Sequence, residues 1–223
     1  MTTDALAQLA LGWLAFVAWS LVAFTLLERV RPRHHAHPGA RRIALAAALL
    51  VVDAGLAQLV FHVADLHGGR IVLTFVAAEL LHYGLHVAMH RFPLLWRFHR
   101  LHHADAPLNW TTAWFVHPVD AVLIATAGVA AAVLAGGGAA AAAWFVVGRR
   151  VWTVVLHANL TWPASRLDGL VATPPFHARH HREDLPAANF AGTLSILDRI
   201  FGTYRAGPGP GMTSGRDLWR ISR

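Results

Sequence analysis

The chain has 223 residues, the length of one ordinary domain, with 56% hydrophobic and only 14% charged residues. Soluble domains carry about 25% charged residues, so a disordered or heavily solvated chain is excluded. Sixteen His stand against 12 Asp plus Glu, and there is no Cys, which removes disulfides, thiolate zinc sites, iron–sulfur clusters and cysteine nucleophiles together. The net charge of +7, carried in loops of an apolar chain, reads as a membrane protein rather than a nucleic-acid footprint.

In chain order, Ala5 to Leu27 is an apolar run of 23 residues, long enough to cross a bilayer. It lacks a small-residue cleavage site, so it reads as an uncleaved span rather than a signal peptide. An Arg-rich stretch follows, from Arg29 to Arg42. Its His34, His35 and His37 have no helical register and read as a loop. Ile43–Val63 and Ile71–Met89 are the second and third expected spans, joined through Asp65, His67 and Arg70. Ala121–Leu134 and Ala139–Val147 form an expected helical hairpin turning at Gly136-Gly-Gly138, each arm short for a full span. The basic loops then share one side, which the positive-inside rule puts in the cytoplasm. Beyond Leu160 the chain turns polar and rich in Pro and Gly, and Gly207 to Gly211 reads as loose coil. The expected organisation is N-terminal helices and a basic loop over 1–70, a catalytic region over 71–206 and a tail over 207–223. The nine Trp, including Trp96, Trp110, Trp114 and Trp162, are expected as an interfacial belt.

The chemistry lies in the histidines. His82, His86 and His90 recur every four residues and form a stripe on the third helix. Pro93 breaks that helix and suits the first turn of the next, which carries His99, His102 and His103. The same H-x-x-H-H pattern returns at His177, His180 and His181 behind Pro174-Pro175. His117, before a proline, and His157, two residues before Asn159, lie between the two. Neutral imidazole suits iron, copper, nickel and zinc. Six His within 22 residues and three within five exceed what one tetrahedral zinc uses. Carboxylates are scarce at matching helical positions, so the Glu-x-x-His di-iron pattern of four-helix bundles does not fit. An all-imidazole, oxygen-reactive di-metal centre fits better. Asp53 and Glu79 fall within expected spans, where an ionisable side chain is by default a functional candidate.

From Glu79 to Tyr204 the chain resembles the fatty acid hydroxylase (sterol desaturase) superfamily. The motifs run in the family's order: His86 and His90, the first H-x-x-H-H, His117-Pro118, His157 with Asn159, the second H-x-x-H-H, then Asn189 to Gly192 and Leu197 to Tyr204. The resemblance implies an all-α integral membrane bundle of about four spans with a cytoplasmic helical cap, in the inner membrane of a bacterium. It implies two iron ions, replaceable by zinc on purification, and use of O2 and two electrons to hydroxylate or desaturate a C–H bond of a membrane lipid. By motif position the metal ligands are His86, His90, His99, His102, His103, His157, His177, His180 and His181. His82, His117, Glu79 and Asn159 are extra ligands or groups that orient them. With no Cys and no G-x-G-x-x-G, a separate ferredoxin or cytochrome donor with its reductase is implied, and no nucleic-acid partner. The alternative is a histidine-rich membrane metal-binding or transport protein without oxygenase activity.

Overall fold

A computed structural model describes residues 15, 18–19, 22–63, 70–104, 107–137, 139–162, 166–182 and 185–206; within the helices, the side chains of residues 53–63, 139–144, 146–147 and Arg166 lie outside this description. The described residues are helical, with one isolated antiparallel bridge between Pro32 and Leu160 and no strand. Helix α1 covers 22–30, α2 Ala40–Val63, α3 Ile71–Arg91, α4 Pro93–His103, α5 Pro118–Leu134, α6 Ala139–His157, α7 Pro174–His180 and α8 Ile196–Ile200, with a 3-10 turn at Trp110–Trp114. The first expected span is mostly outside the described residues, and so are the 64–69 connection, the side chain of Asp53 and the 207–223 tail.

Prolines set the breaks. Phe92 is extended (φ −102°, ψ 121°) ahead of Pro93 at the first turn of α4, because the proline ring disfavours helical backbone in the residue before it. Thr173 ahead of Pro174 is likewise extended. α5 begins with Pro118, and the His117 side chain accepts a hydrogen bond from the backbone N–H of Val119, filling the role of a helix cap. The α5–α6 hairpin turns at Gly136, whose φ of 62° is the left-handed conformation that ends helices cheaply only with glycine.

α3 is the central element and packs on α4, α5 and α6, while α2 lies on α5 and on the 110–114 turn. Among the described residues α3 is the one helix long and apolar enough to cross a membrane, and its Ile71, Val72 and Leu73 face outward with Val133 and Leu134 of α5. Three apolar clusters form among the described residues. One joins Phe24, Leu50, Trp110, Trp114 and Val154; a second joins Tyr83, Leu156, Phe176, Phe190 and Leu197; a third joins Ala78, Ala131 and Phe145. The expected Trp belt is therefore corrected at two positions: Trp110 and Trp114 are only 1% and 3% exposed. The 3-10 turn rolls both indoles onto α6, where burial of a large ring outweighs an interfacial position.

Candidate metal centre

Among the described residues, nine histidines from four helices converge at the end of α3 that meets α4, and they divide into two groups. His86 and His90 (α3), His99 and His103 (α4) and His180 (α7) form a group of five. His102 (α4), His157 (α6), and His177 and His181 at the end of α7 form a group of four. Within each, the candidate ligand nitrogens all lie within 4.8 Å of one another. The split follows helical geometry. In each H-x-x-H-H motif the i, i+4 pair lies on one stripe while the i+3 residue projects to the side. Thus His99 and His103 enter one group and His102 the other, and His177 and His181 enter the second group while His180 enters the first. The groups abut, with His103 and His181 stacked at 4.3 Å between ring centroids.

Hydrogen bonds fix the direction in which several rings present their lone pairs. A carbonyl oxygen only accepts, so an imidazole nitrogen facing one must carry the proton, leaving the other nitrogen bare in the neutral ring. His86 Nδ1 donates to Phe190 O at 2.6 Å, His157 Nδ1 to Thr153 O at 2.7 Å and His180 Nδ1 to Ala188 O at 2.7 Å. His99 Nδ1 lies 2.7 Å from Asp120 Oδ2. Accordingly the bare His157 Nε2 sits 3.0–3.1 Å from the Nε2 atoms of His102, His177 and His181, and the last two are 3.2 Å apart. Four nitrogens at about 2.0–2.1 Å from one ion are roughly 3.0–3.4 Å from each other, so this set has the spacing of a metal site. In the larger group His86 Nε2 and His99 Nε2 are 3.1 Å apart. With both Nδ1 atoms facing acceptors, these two Nε2 atoms are placed to share one cation. The Nε2 atoms of His90, His103 and His180 are buried without a hydrogen-bond partner. The residues present therefore fit imidazole-bound cations in both groups, and among the described residues neither group contains a carboxylate.

The same rings give a pH prediction. Burial, and then the neighbouring imidazoles, hold His102, His103, His177, His180 and His181 well below the ordinary histidine pKa of 6.5. The unfolded chain takes up these protons first, so folded-state stability is complete above about pH 7 and falls as pH drops below the unfolded value of about 6.5. Each such ring removes roughly 1.4 kcal/mol per pH unit in that range. Thermal unfolding of the metal-free protein should therefore shift steeply downward between about pH 6.5 and pH 5, and metal should move that fall to lower pH. A midpoint that stays level across this range would mean that the rings are solvated and already protonated in the fold.

The other expected site residues have different places. His82 is buried, but its Nε2 is 2.9 Å from the Arg149 guanidinium, which can only donate; its lone pair is thus engaged outside both groups. Glu79 touches no histidine of either group. Its Oε2 accepts the backbone N–H groups of Thr193 and Leu194, and Oε1 lies 4.0 Å from Arg149 Nε. His117 caps α5 and packs on Phe98. Asn159 clamps the basic loop, accepting from the N–H groups of Arg33 and His34 and donating to His34 O and Ala36 O. The loop's His34 turns to Leu108 O at 2.9 Å.

Sequence reasoning missed the parts that aim the rings. Asp120 is 1% exposed and lies three residues after His117; the H-P-x-D spacing at a helix start was its available signal. The carbonyls of Phe190 and Ala188 belong to a segment organised by Asp198 and Asn189. Asp198 accepts the backbone N–H groups of Phe190 and Ala191 and the Thr203 hydroxyl. Asn189, at φ 62°, ties Phe176 O to both main-chain groups of Arg205. Gly192 passes so close to Arg149 that a Cβ there would overlap its guanidinium. A cavity of about 70 Å³ between α3, α5 and α6 touches both groups, with Leu85, Met89, Ile124 and Phe145 in its wall. On the other side an open depression of about 930 Å³ reaches His90, His103 and His180 past Trp96, Arg97 and Arg100.

Fold and site together define an all-helical protein with two adjoining all-imidazole groups. The fatty acid hydroxylase family model matches residues 71–203, and the chain belongs to that family. It is 29% identical to an ornithine lipid hydroxylase of Rhizobium tropici over 65% of this chain and 44% of the relative. It is 27% identical to an alkylglycerol monooxygenase of Xenopus tropicalis, covering 59% and 30% of the two chains, and 28% identical to a very-long-chain aldehyde decarbonylase of Oryza sativa subsp. indica, covering 60% and 51%. The matched regions thus span about half or less of these relatives. No solved structure gives a significant match.

Proposed function

We propose that the protein is a membrane-bound, O2-dependent oxidoreductase that hydroxylates or desaturates a lipid C–H bond. The nine metal-binding histidines are His86, His90, His99, His103 and His180 around one iron, and His102, His157, His177 and His181 around the other. The observation that carries the reading is the convergence of two abutting imidazole groups, with no carboxylate in either among the described residues. Paired irons would supply the site's capacity to activate O2, with two electrons from a separate ferredoxin- or cytochrome-type donor. The chain's own contribution is placement. Asp120 and the carbonyls of Phe190, Thr153 and Ala188 hold four of the rings in register, as second partners of ligating histidines do. Leu85, Met89, Ile124 and Phe145 give the cavity an apolar wall beside both groups, suited to a hydrocarbon segment and to excluding water. The Arg97 and Arg100 rim suits an acidic donor. The outward apolar residues of α3 and α5 support a bilayer setting, with about four spans, the histidine cap in the cytoplasm and, in a bacterium, the inner membrane as its place.

The test is metal and turnover together. Protein from iron-replete cells, purified in mild detergent, should carry close to two metals per chain, one for each group, predominantly iron. It should consume O2 when given a reducing system and a lipid from a panel of ornithine lipid, sterol, alkylglycerol and fatty acyl substrates. Retained metal with no turnover across the panel would favour the metal-binding protein, and a single haem or no metal would overturn the reading.

A further inference from the structure

Among the ring nitrogens whose partners are defined, His99 is the one facing an anion. His86, His157 and His180 donate to neutral carbonyls, whereas His99 Nδ1 meets the Asp120 carboxylate at 2.7 Å, both side chains buried. The second oxygen of Asp120 is buried without a hydrogen-bond partner. A carboxylate in that setting is costly unless a positive charge lies close by. The ring it touches can relay such a charge from its far nitrogen, and that nitrogen, His99 Nε2, points into the five-histidine group next to His86 Nε2. The helix start reinforces the placement: His117 caps α5, Pro118 opens it, and Asp120 follows in the first turn, where the helix dipole favours a negative side chain.

We infer that Asp120 is a positioning residue that makes the two metal sites unequal: by holding the His99 N–H and passing its negative charge through the ring, it selectively strengthens cation binding by the five-histidine group. Among the described residues the four-histidine group has no such carboxylate, and the His157 ring at its hub is held by a neutral carbonyl. The inference rests on the metal-site reading above and adds an order of affinity to it.

The test titrates Co2+ alone into metal-free, detergent-solubilised protein and follows the visible absorption of the bound ion. Wild type should bind in two steps, which His103→Ala and His177→Ala assign to the five- and four-histidine groups by the step that each removes. Asp120→Asn keeps an acceptor for the ring N–H but removes the charge, and should weaken the first group's step about 10–100-fold, the range for lost partners of metal-bound histidines. The second group's step should not move, and Asp120→Glu should restore the affinity. Asp120→Ala is the companion variant: its loss should be recovered by added formate, which refills the carboxylate position. Equal weakening of both steps, no weakening, weakening confined to the four-histidine group, or no recovery by formate would overturn the inference. Wild-type protein that binds no Co2+ would overturn the metal-site reading with it. An unmoved Asp120→Asn beside a two-step wild type would sink the inference alone.

Discussion

Replacing His157 with alanine should remove one of two bound ions and reduce O2-dependent lipid turnover to background. His157 is the hub of the four-histidine group: its Nε2 lies 3.0–3.1 Å from the Nε2 atoms of His102, His177 and His181, while its Nδ1 is tied to Thr153 O on its own helix. Alanine leaves three imidazoles around a vacant corner. It also removes the ring that α6 extends toward α4 and α7. The group of five takes no ligand from α6, so its ion should stay. The expected readout is a fall from about two metals per chain to about one, with the helical circular dichroism unchanged. His82→Ala is the internal comparison, because the His82 lone pair already accepts from Arg149; its metal content should equal that of wild type. Equal metal loss in both variants would show that His82 ligates as well and that the division into two groups is wrong.

The second large effect is expected at Asp198, which binds no ion. Its carboxylate accepts the N–H groups of Phe190 and Ala191 and the Thr203 hydroxyl, and its backbone carbonyl accepts from Thr203 and Tyr204. The side chain is fully buried. In Asp198→Ala two buried backbone donors lose their acceptor, at about 1–3 kcal/mol each, with the hydroxyl in addition. A loss of roughly 3–5 kcal/mol in denaturant unfolding is expected. Because Phe190 O holds the His86 ring and Ala188 O the His180 ring, the five-histidine group should also lose affinity for metal, whereas the group centred on His157 should be less affected. Asn at this position keeps an acceptor and should fall between alanine and wild type. Wild-type stability in the alanine variant would mean that the 189–204 segment is held by its apolar contacts alone.

Much of the helical frame was legible because it depends on neighbours in sequence. Pro93 and Pro174 mark the starts of α4 and α7 through their fixed φ and missing N–H, whereas α5 starts at Pro118, three residues before the expected Ala121. Likewise the four-residue spacing of His86 and His90 brings both into one group, and the apolar run from Ile71 forms the long central helix. The division of each H-x-x-H-H motif was less visible. Helical phase says that His102 diverges from His99 and His103, but not that a second set of rings waits for it on α6 and α7. His82 continues the stripe perfectly and still lies outside both groups, because Arg149, 67 residues away, holds it.

What the sequence determined by itself was the donor chemistry, several helix starts and the family, since these rest on residue type and short spacings; α6 runs on to His157, ten residues past the expected Val147. Only the tertiary structure decided the five-and-four partition, the pairing of His99 with Asp120, the burial of Trp110 and Trp114, and the diversion of Glu79 and Asn159 to backbone donors of distant loops. The physical reason is the nature of the partners. The carbonyls of Phe190, Thr153 and Ala188 aim three rings, every residue has a carbonyl, and nothing in residue type marks which ones packing will turn toward an imidazole.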